Sequence, residues 1–140
     1  MILSPRFYRR LAVLGIGLTV LVLLLPGAVV EAIADWVKQI LPVLSEDSSG
    51  AAGHLDKLVH AVLFAVCGFL VASGWWQVGQ PLWPLFLFLL GLGVLTELLQ
   101  YPIPGRTASF WDVVADGAGA LIGLWSKKGT DLFSGASRGK

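Results

Sequence analysis

The chain has 140 residues, one domain's worth, of which 56% are hydrophobic and only 14% charged, with a mean hydropathy of +0.77. That balance excludes an ordinary water-soluble globule, which could not hide so much apolar surface. Ten Lys and Arg against nine Asp and Glu leave a formal charge of +1, so no global field favours nucleic acid or an acidic substrate. Cys67 is the single cysteine; it excludes an intrachain disulfide framework and reads as a small buried hydrophobe.

Crossing about 30 Å of hydrocarbon takes about 20 apolar residues in a helix. Four stretches meet or approach this: 11–30, which carries no charge; 58–76; 82–99, interrupted only by Glu97; and 110–125, the least hydrophobic, which holds Asp112 and Asp116. Lipid offers no partners to backbone N–H and C=O groups, so these stretches are expected to be helices, forming an all-α, four-helix transmembrane bundle. Gly79, Pro81 and Pro84 mark a tight turn between the second and third, and Pro102, Pro104 and Gly105 break the chain before the fourth. The membrane domain is expected over 1–126, with 127–140 a flexible tail.

In the one long connection, Ile33, Trp36, Val37, Ile40 and Leu41 recur at helical spacing, with Glu31, Asp35, Lys38 and Gln39 between them. That pattern predicts a short helix in the interface, anchored by Trp36 and followed by a flexible Ser- and Gly-rich loop over 45–53. Arg6, Arg9 and Arg10 precede the first apolar stretch and Lys127, Lys128, Arg138 and Lys140 follow the fourth, whereas the opposite side holds Lys38, Lys57 and Arg106. The positive-inside rule therefore predicts both termini in the cytoplasm of a multi-pass protein of the bacterial cell (inner) membrane. A signal peptide is the rival reading of the first stretch, but the apolar run exceeds a usual signal core.

Ionisable groups in membrane helices cost about 2.5–3.5 kcal/mol each on insertion scales, so each needs a partner, a wet cavity or an interfacial position. Here they cluster. Asp56 and His60 share a face of the second predicted helix; Glu97 and Gln100 lie together at the end of the third; Asp112 and Asp116 stack at the start of the fourth, and Arg106 sits on the adjoining turn. All belong to the predicted outer side. Gly119 and Gly123 lie near the face of Asp112, and Gly93 near that of Glu97, so the acids are expected to point into a closely packed bundle and not at lipid.

Simpler roles compete for the same residues. Ser109 with Asp112 three positions on is a capping-box pattern, Asp56 and Lys57 suit an interfacial helix start, and the whole cluster could be a structural polar network that fixes helix register. His60, Glu97, Asp112 and Asp116 would offer a metal one nitrogen and several oxygens, an unselective set without a second convergent histidine, His54 facing elsewhere. No metal and no cofactor are expected. Acid–base chemistry by His60 and the carboxylates is open, yet no nucleophile with a base at fixed spacing and no phosphate loop or cofactor fingerprint accompanies it. Transport would need a longer polar path than a cluster confined to one end.

The run Asp56-Lys57-Leu58-Val59-His60, then Glu97-Leu98-Leu99-Gln100, then Gly105-Arg106 leading to Asp112, Asp116, Gly119, Ala120 and Gly123 resembles the VanZ-like family of integral membrane proteins. Where such sequences commonly carry Asn, this chain has Asp116, an added acid. The resemblance implies an envelope role, since the founding member is associated with low-level resistance to the glycopeptide teicoplanin. Together the residues and the resemblance point to an outer-facing polar site of Asp56, Lys57, His60, Glu97, Gln100, Arg106, Asp112 and Asp116. Its expected partners are membrane lipids and a lipid-linked envelope molecule or lipoglycopeptide, and not nucleic acid.

Overall fold

The computed structural model describes residues 4–40 and 51–138, with side chains over 4–37, 39–40 and 55–131. Among these residues the fold is all-helical: α1 Pro5–Leu23, α2 Gly27–Ile40, α3 Ala51–Trp75, α4 Trp83–Gln100 and α5 Phe110–Arg138. Most of the loop expected over 45–53, and Leu41 of the interfacial pattern, lie outside the described residues.

Ser4 caps α1 by accepting the Phe7 N–H at 3.3 Å, with Pro5 in the first turn where its missing N–H costs nothing. The first apolar stretch is not one helix over 11–30. Pro26 ends it: a proline there cannot supply the N–H that α1 would need, and its carbonyl instead accepts from Val29 and Val30 to open α2. The chain turns by 98° between α1 and α2. A helix thus does cover the 33–40 repeat, but it starts at Gly27, earlier than that repeat suggested, and presents Val29, Ile33, Trp36 and Ile40 outward.

Two further boundaries differ from expectation. α3 begins at Ala51, so Asp56 and His60 stand in its second and third turns and not at a helix start. α5 continues without a break to Arg138 where a flexible tail was expected from 127; Lys127 pairs with Asp131 one turn on, and the Thr130 hydroxyl bonds the Lys127 carbonyl. α4, by contrast, falls within a residue of its predicted limits.

α3 is the central helix, with α5 and α1 against it and α4 closing on α5. The α3–α5 contact is the closest because glycine makes it so: a Cβ at Gly119 would strike the Ala61 carbonyl, one at Gly123 the Ala65 carbonyl, and Gly68 meets Ala120 from the other side. Phe64, Cys67, Val71, Leu89, Ala120 and Leu124 form the core, and Thr19 lies within hydrogen-bonding distance of the buried Cys67 Sγ at 3.3 Å.

Burial is otherwise inverted relative to a soluble protein. His60, Thr96, Glu97, Gln100, Asp112 and Asp116 are buried, while Leu14, Leu18, Val62, Phe88, Leu98 and Ile122 face outward. A surface of that kind needs a hydrocarbon surrounding. Helical segments Leu55–Trp75 and Trp83–Gln100 are long and apolar enough to cross a membrane, and α1 with the first part of α2 passes as a bent pair. α5, with Asp112 and Asp116 in its first two turns, does not pass on length and composition.

Candidate functional site

The helices alternate in direction, so the end of α1, the first turns of α3, the end of α4 and the start of α5 meet at one end of the molecule. Arg9 marks the opposite end, donating from Nε to the Gly74 carbonyl at 2.8 Å and lying over the Trp75 ring. All eight residues singled out in the sequence belong to the first end, and contacts link seven of them into one cluster while Gln100 adjoins it.

At its centre His60, fully buried, pairs through Nδ1 with Asp116 Oδ1 at 3.0 Å. Glu97 Oε1 lies 4.0 Å from the same nitrogen. Asp116 is admitted by Gly93, at which a Cβ would come within 2.7 Å of Asp116 Oδ2. Toward the rim, Lys57 Nζ is 3.7 Å from Asp112 Oδ1, and Arg106 Nη1 is 3.6 Å from Asp56 Oδ1. Both separations exceed a good hydrogen bond, so these are loose ion pairs.

Two of the eight serve helix ends. Glu97 Oε2 accepts the Ser109 N–H at 2.6 Å, and Gln100 Nε2 donates to the Leu23 carbonyl at 2.9 Å. The first bond corrects the capping-box reading of Ser109 and Asp112. The N–H that Asp112 would have accepted goes to a carboxylate from α4, and Asp112, only 3% exposed, turns toward Lys57. Sequence inspection also missed the Leu23 carbonyl and Thr96, whose hydroxyl bonds the Gly93 carbonyl at 2.8 Å. The end of α1 at Leu23 was signalled by Pro26; nothing in the sequence shows that Gln100 would reach it.

Four buried polar atoms in this cluster have no hydrogen-bond partner among the described residues: His60 Nε2, Glu97 Oε1, Asp112 Oδ1 and Asp116 Oδ2. Each such atom costs about 1–3 kcal/mol if left so, and their concentration in one place sets this end apart from the rest of the core. Asp56, His60 and Asp112 each present one ligand atom, all within 4.8 Å of one another, a grouping that could hold a metal ion. It differs from the set of His60, Glu97, Asp112 and Asp116 weighed from the sequence. On the outer side of the α4–α5 seam runs an apolar groove of about 480 Å³, lined by residues including Phe86, Leu90, Val94, Val113 and Leu121.

The family model described as VanZ/LLP1 matches residues 4–129. The chain belongs to the VanZ/LLP1 family. No curated protein and no solved structure matches it. Membership in the VanZ/LLP1 family, with helices apolar enough to span a bilayer, makes this a membrane protein. The match takes in α1 to α4 and most of α5, including every residue of the polar cluster.

Proposed function

We propose that this VanZ/LLP1 protein is a multi-pass protein of the bacterial inner membrane, with both termini cytoplasmic, whose polar end binds the headgroup of an anionic envelope lipid or amphiphile at the outer leaflet. In this reading α5 is the fourth span, its acids tolerated because α3 and α4 cover them. The observation that carries the proposal is the convergence of scarce ionisable side chains from three helices on one end, with four buried polar atoms that have no hydrogen-bond partner among the described residues. Arg106 supplies a guanidinium suited to a phosphate or carboxylate, and its loose pairing with Asp56 leaves N–H donors able to turn toward a ligand. The apolar groove between α4 and α5 suits an acyl chain beside it. A contribution to resistance against teicoplanin-type glycopeptides follows in this reading from competition for, or shielding of, such an amphiphile.

The test uses the full chain in detergent with photoactivatable phosphatidylglycerol and a fluorescent teicoplanin-type lipoglycopeptide as probes. Arg106→Ala is expected to lose capture of at least one probe while keeping the elution profile and helicity of the parent. Equal capture by parent and variant rejects the proposal.

A second reading has its own support: Glu97 and Gln100 each tie one helix end to another and so act as structural staples. The two readings divide the cluster. Arg106 and Lys57 at the rim, with Asp56, His60, Asp112 and Asp116 beside them, are left to surround the ligand, with Glu97 and Gln100 holding the frame.

A further inference from the structure

An anionic headgroup set among Asp56, Glu97, Asp112 and Asp116 needs more positive charge than Lys57 and Arg106 bring. Four carboxylates against two cations leave a formal excess of two negative charges when His60 is neutral. Inside a bundle with low-dielectric walls such an excess is costly, and two of the four carboxylates, Asp56 and Asp112, stand with His60 at ligand spacing.

We propose that Asp56, His60 and Asp112 form a binding site for a divalent transition cation of the zinc and manganese class. One ligand atom from each lies within 4.8 Å of the others. Ligand atoms sharing one ion at about 2.0–2.2 Å lie at most about 4.4 Å apart, so the group draws in slightly as the ion binds. Nδ1 of His60 is engaged by Asp116, so the site assigns the ion to Nε2, which is buried and has no hydrogen-bond partner among the described residues. When Nδ1–H donates to Asp116, Nε2 carries a lone pair and the ring is held in that tautomer. A carboxylate behind an imidazole fixes a metal-binding histidine and raises its basicity in this way. Asp112 Oδ1, the second buried atom without a hydrogen bond among the described residues, is held only loosely by Lys57 at 3.7 Å.

The donor chemistry narrows the ion. An imidazole nitrogen disfavours calcium and magnesium, which take oxygen ligands, and the set has no thiolate to select copper(I). One nitrogen and two carboxylate oxygens leave coordination positions open, as in sites where the ion also meets an exogenous oxygen. A phosphate or carboxylate oxygen of a headgroup would complete it; that role alone rests on the amphiphile reading, whereas the cation site stands on its own geometry. Asp116 is a positioning residue, and Glu97 lies outside the group of three whose ligand atoms converge.

The experiment uses the untagged full chain in detergent, stripped with EDTA and desalted, titrated with ZnCl₂ and MnCl₂ by calorimetry and with CoCl₂ by visible absorption, with no lipid added. The parent is expected to take up about one equivalent of zinc or manganese and to give cobalt d–d bands. His60→Ala should weaken zinc binding by more than about 100-fold, because losing even the carboxylate behind a ligand costs about 10–100-fold. Asp56→Asn, at a half-buried site that perturbs packing little, should weaken it by at least about tenfold, and serves where His60→Ala does not fold. Asp116→Asn keeps an acceptor for Nδ1–H and should bind more tightly than Asp116→Ala, a ranking that simple loss of charge would not produce. Asp131→Asn, far along α5, should bind as the parent does. Uptake below about a tenth of an equivalent by the parent, or parent-like affinity in Asp56→Asn together with every folded His60 variant, overturns the site. Metal uptake without probe capture sinks the amphiphile reading alone, and probe capture by metal-free protein that takes up no metal sinks the cation site alone.

Discussion

Glu97 shows how one side chain can hold two roles that the sequence presents as one. Its Oε2 accepts a backbone N–H at the start of another helix, and its Oε1 faces His60. Glu97→Gln keeps an oxygen for Ser109 and is expected to retain folded yield, whereas Glu97→Leu strands that N–H and should cost about 1–3 kcal/mol, read as a lower thermal midpoint in detergent. Equal midpoints for the two variants would show that the bond to Ser109 contributes nothing. At this scale the candidate residues were legible, because an acid in an apolar run declares itself. Their partners were not: Ser109 and Asp112 have the spacing of a local cap, and only the approach of α4 decides that a distant carboxylate takes the N–H. The expectation that Cys67 is buried holds, its thiol enclosed and near Thr19.

Among the helices, the glycine-lined seam between α3 and α5 carries the placement of Asp112 and Asp116. Gly119→Ala puts a methyl on the Ala61 carbonyl and must push the two helices apart, so its folded yield and midpoint are expected to fall well below those of the parent. Gly129→Ala is the matched comparison: it meets open space in the same helix and should be neutral or gain up to about 1 kcal/mol from helix propensity. If both variants behave alike, close approach is not what orders this seam. The seam was legible as small residues on the face of the acids. The break in the first apolar stretch was legible too, in Pro26, but absence of charge over 11–30 masked it: hydropathy reports solubility in lipid, not helix continuity. α5 ran past its expected end because the glycines and serines beyond Trp125 suggested a flexible tail, whereas the pairing of Lys127 with Asp131 lies at helical spacing and supports another turn.

For the whole molecule, the burial pattern and the family match place the chain in a membrane, and the proposed orientation makes a labelling prediction. Thr107 and Gln77 are exposed on opposite ends. With Thr107→Cys or Gln77→Cys expressed in intact cells, a membrane-impermeant maleimide should label the first and spare the second, and the buried native Cys67 should contribute no background. The reverse pattern would put the polar end in the cytoplasm and end the outer-leaflet reading. Class and clustering were legible here because both follow from composition and periodicity. The count of spans was less so, since α5 buries its acids against its neighbours and its composition alone does not qualify it to cross.

Gly27 and Gly105 touch backbone to backbone. The Gly27 N–H donates to the Pro104 carbonyl at 3.1 Å, Gly105 holds a positive φ of 75°, and a Cβ on Gly27 would collide with the Gly105 carbonyl. The amphipathic α2 and the turn that carries Arg106 are therefore coupled like two arms on a single pivot. Gly27→Ala, by prying the pivot open, should therefore disturb Arg106 even though that residue lies on a turn between other helices.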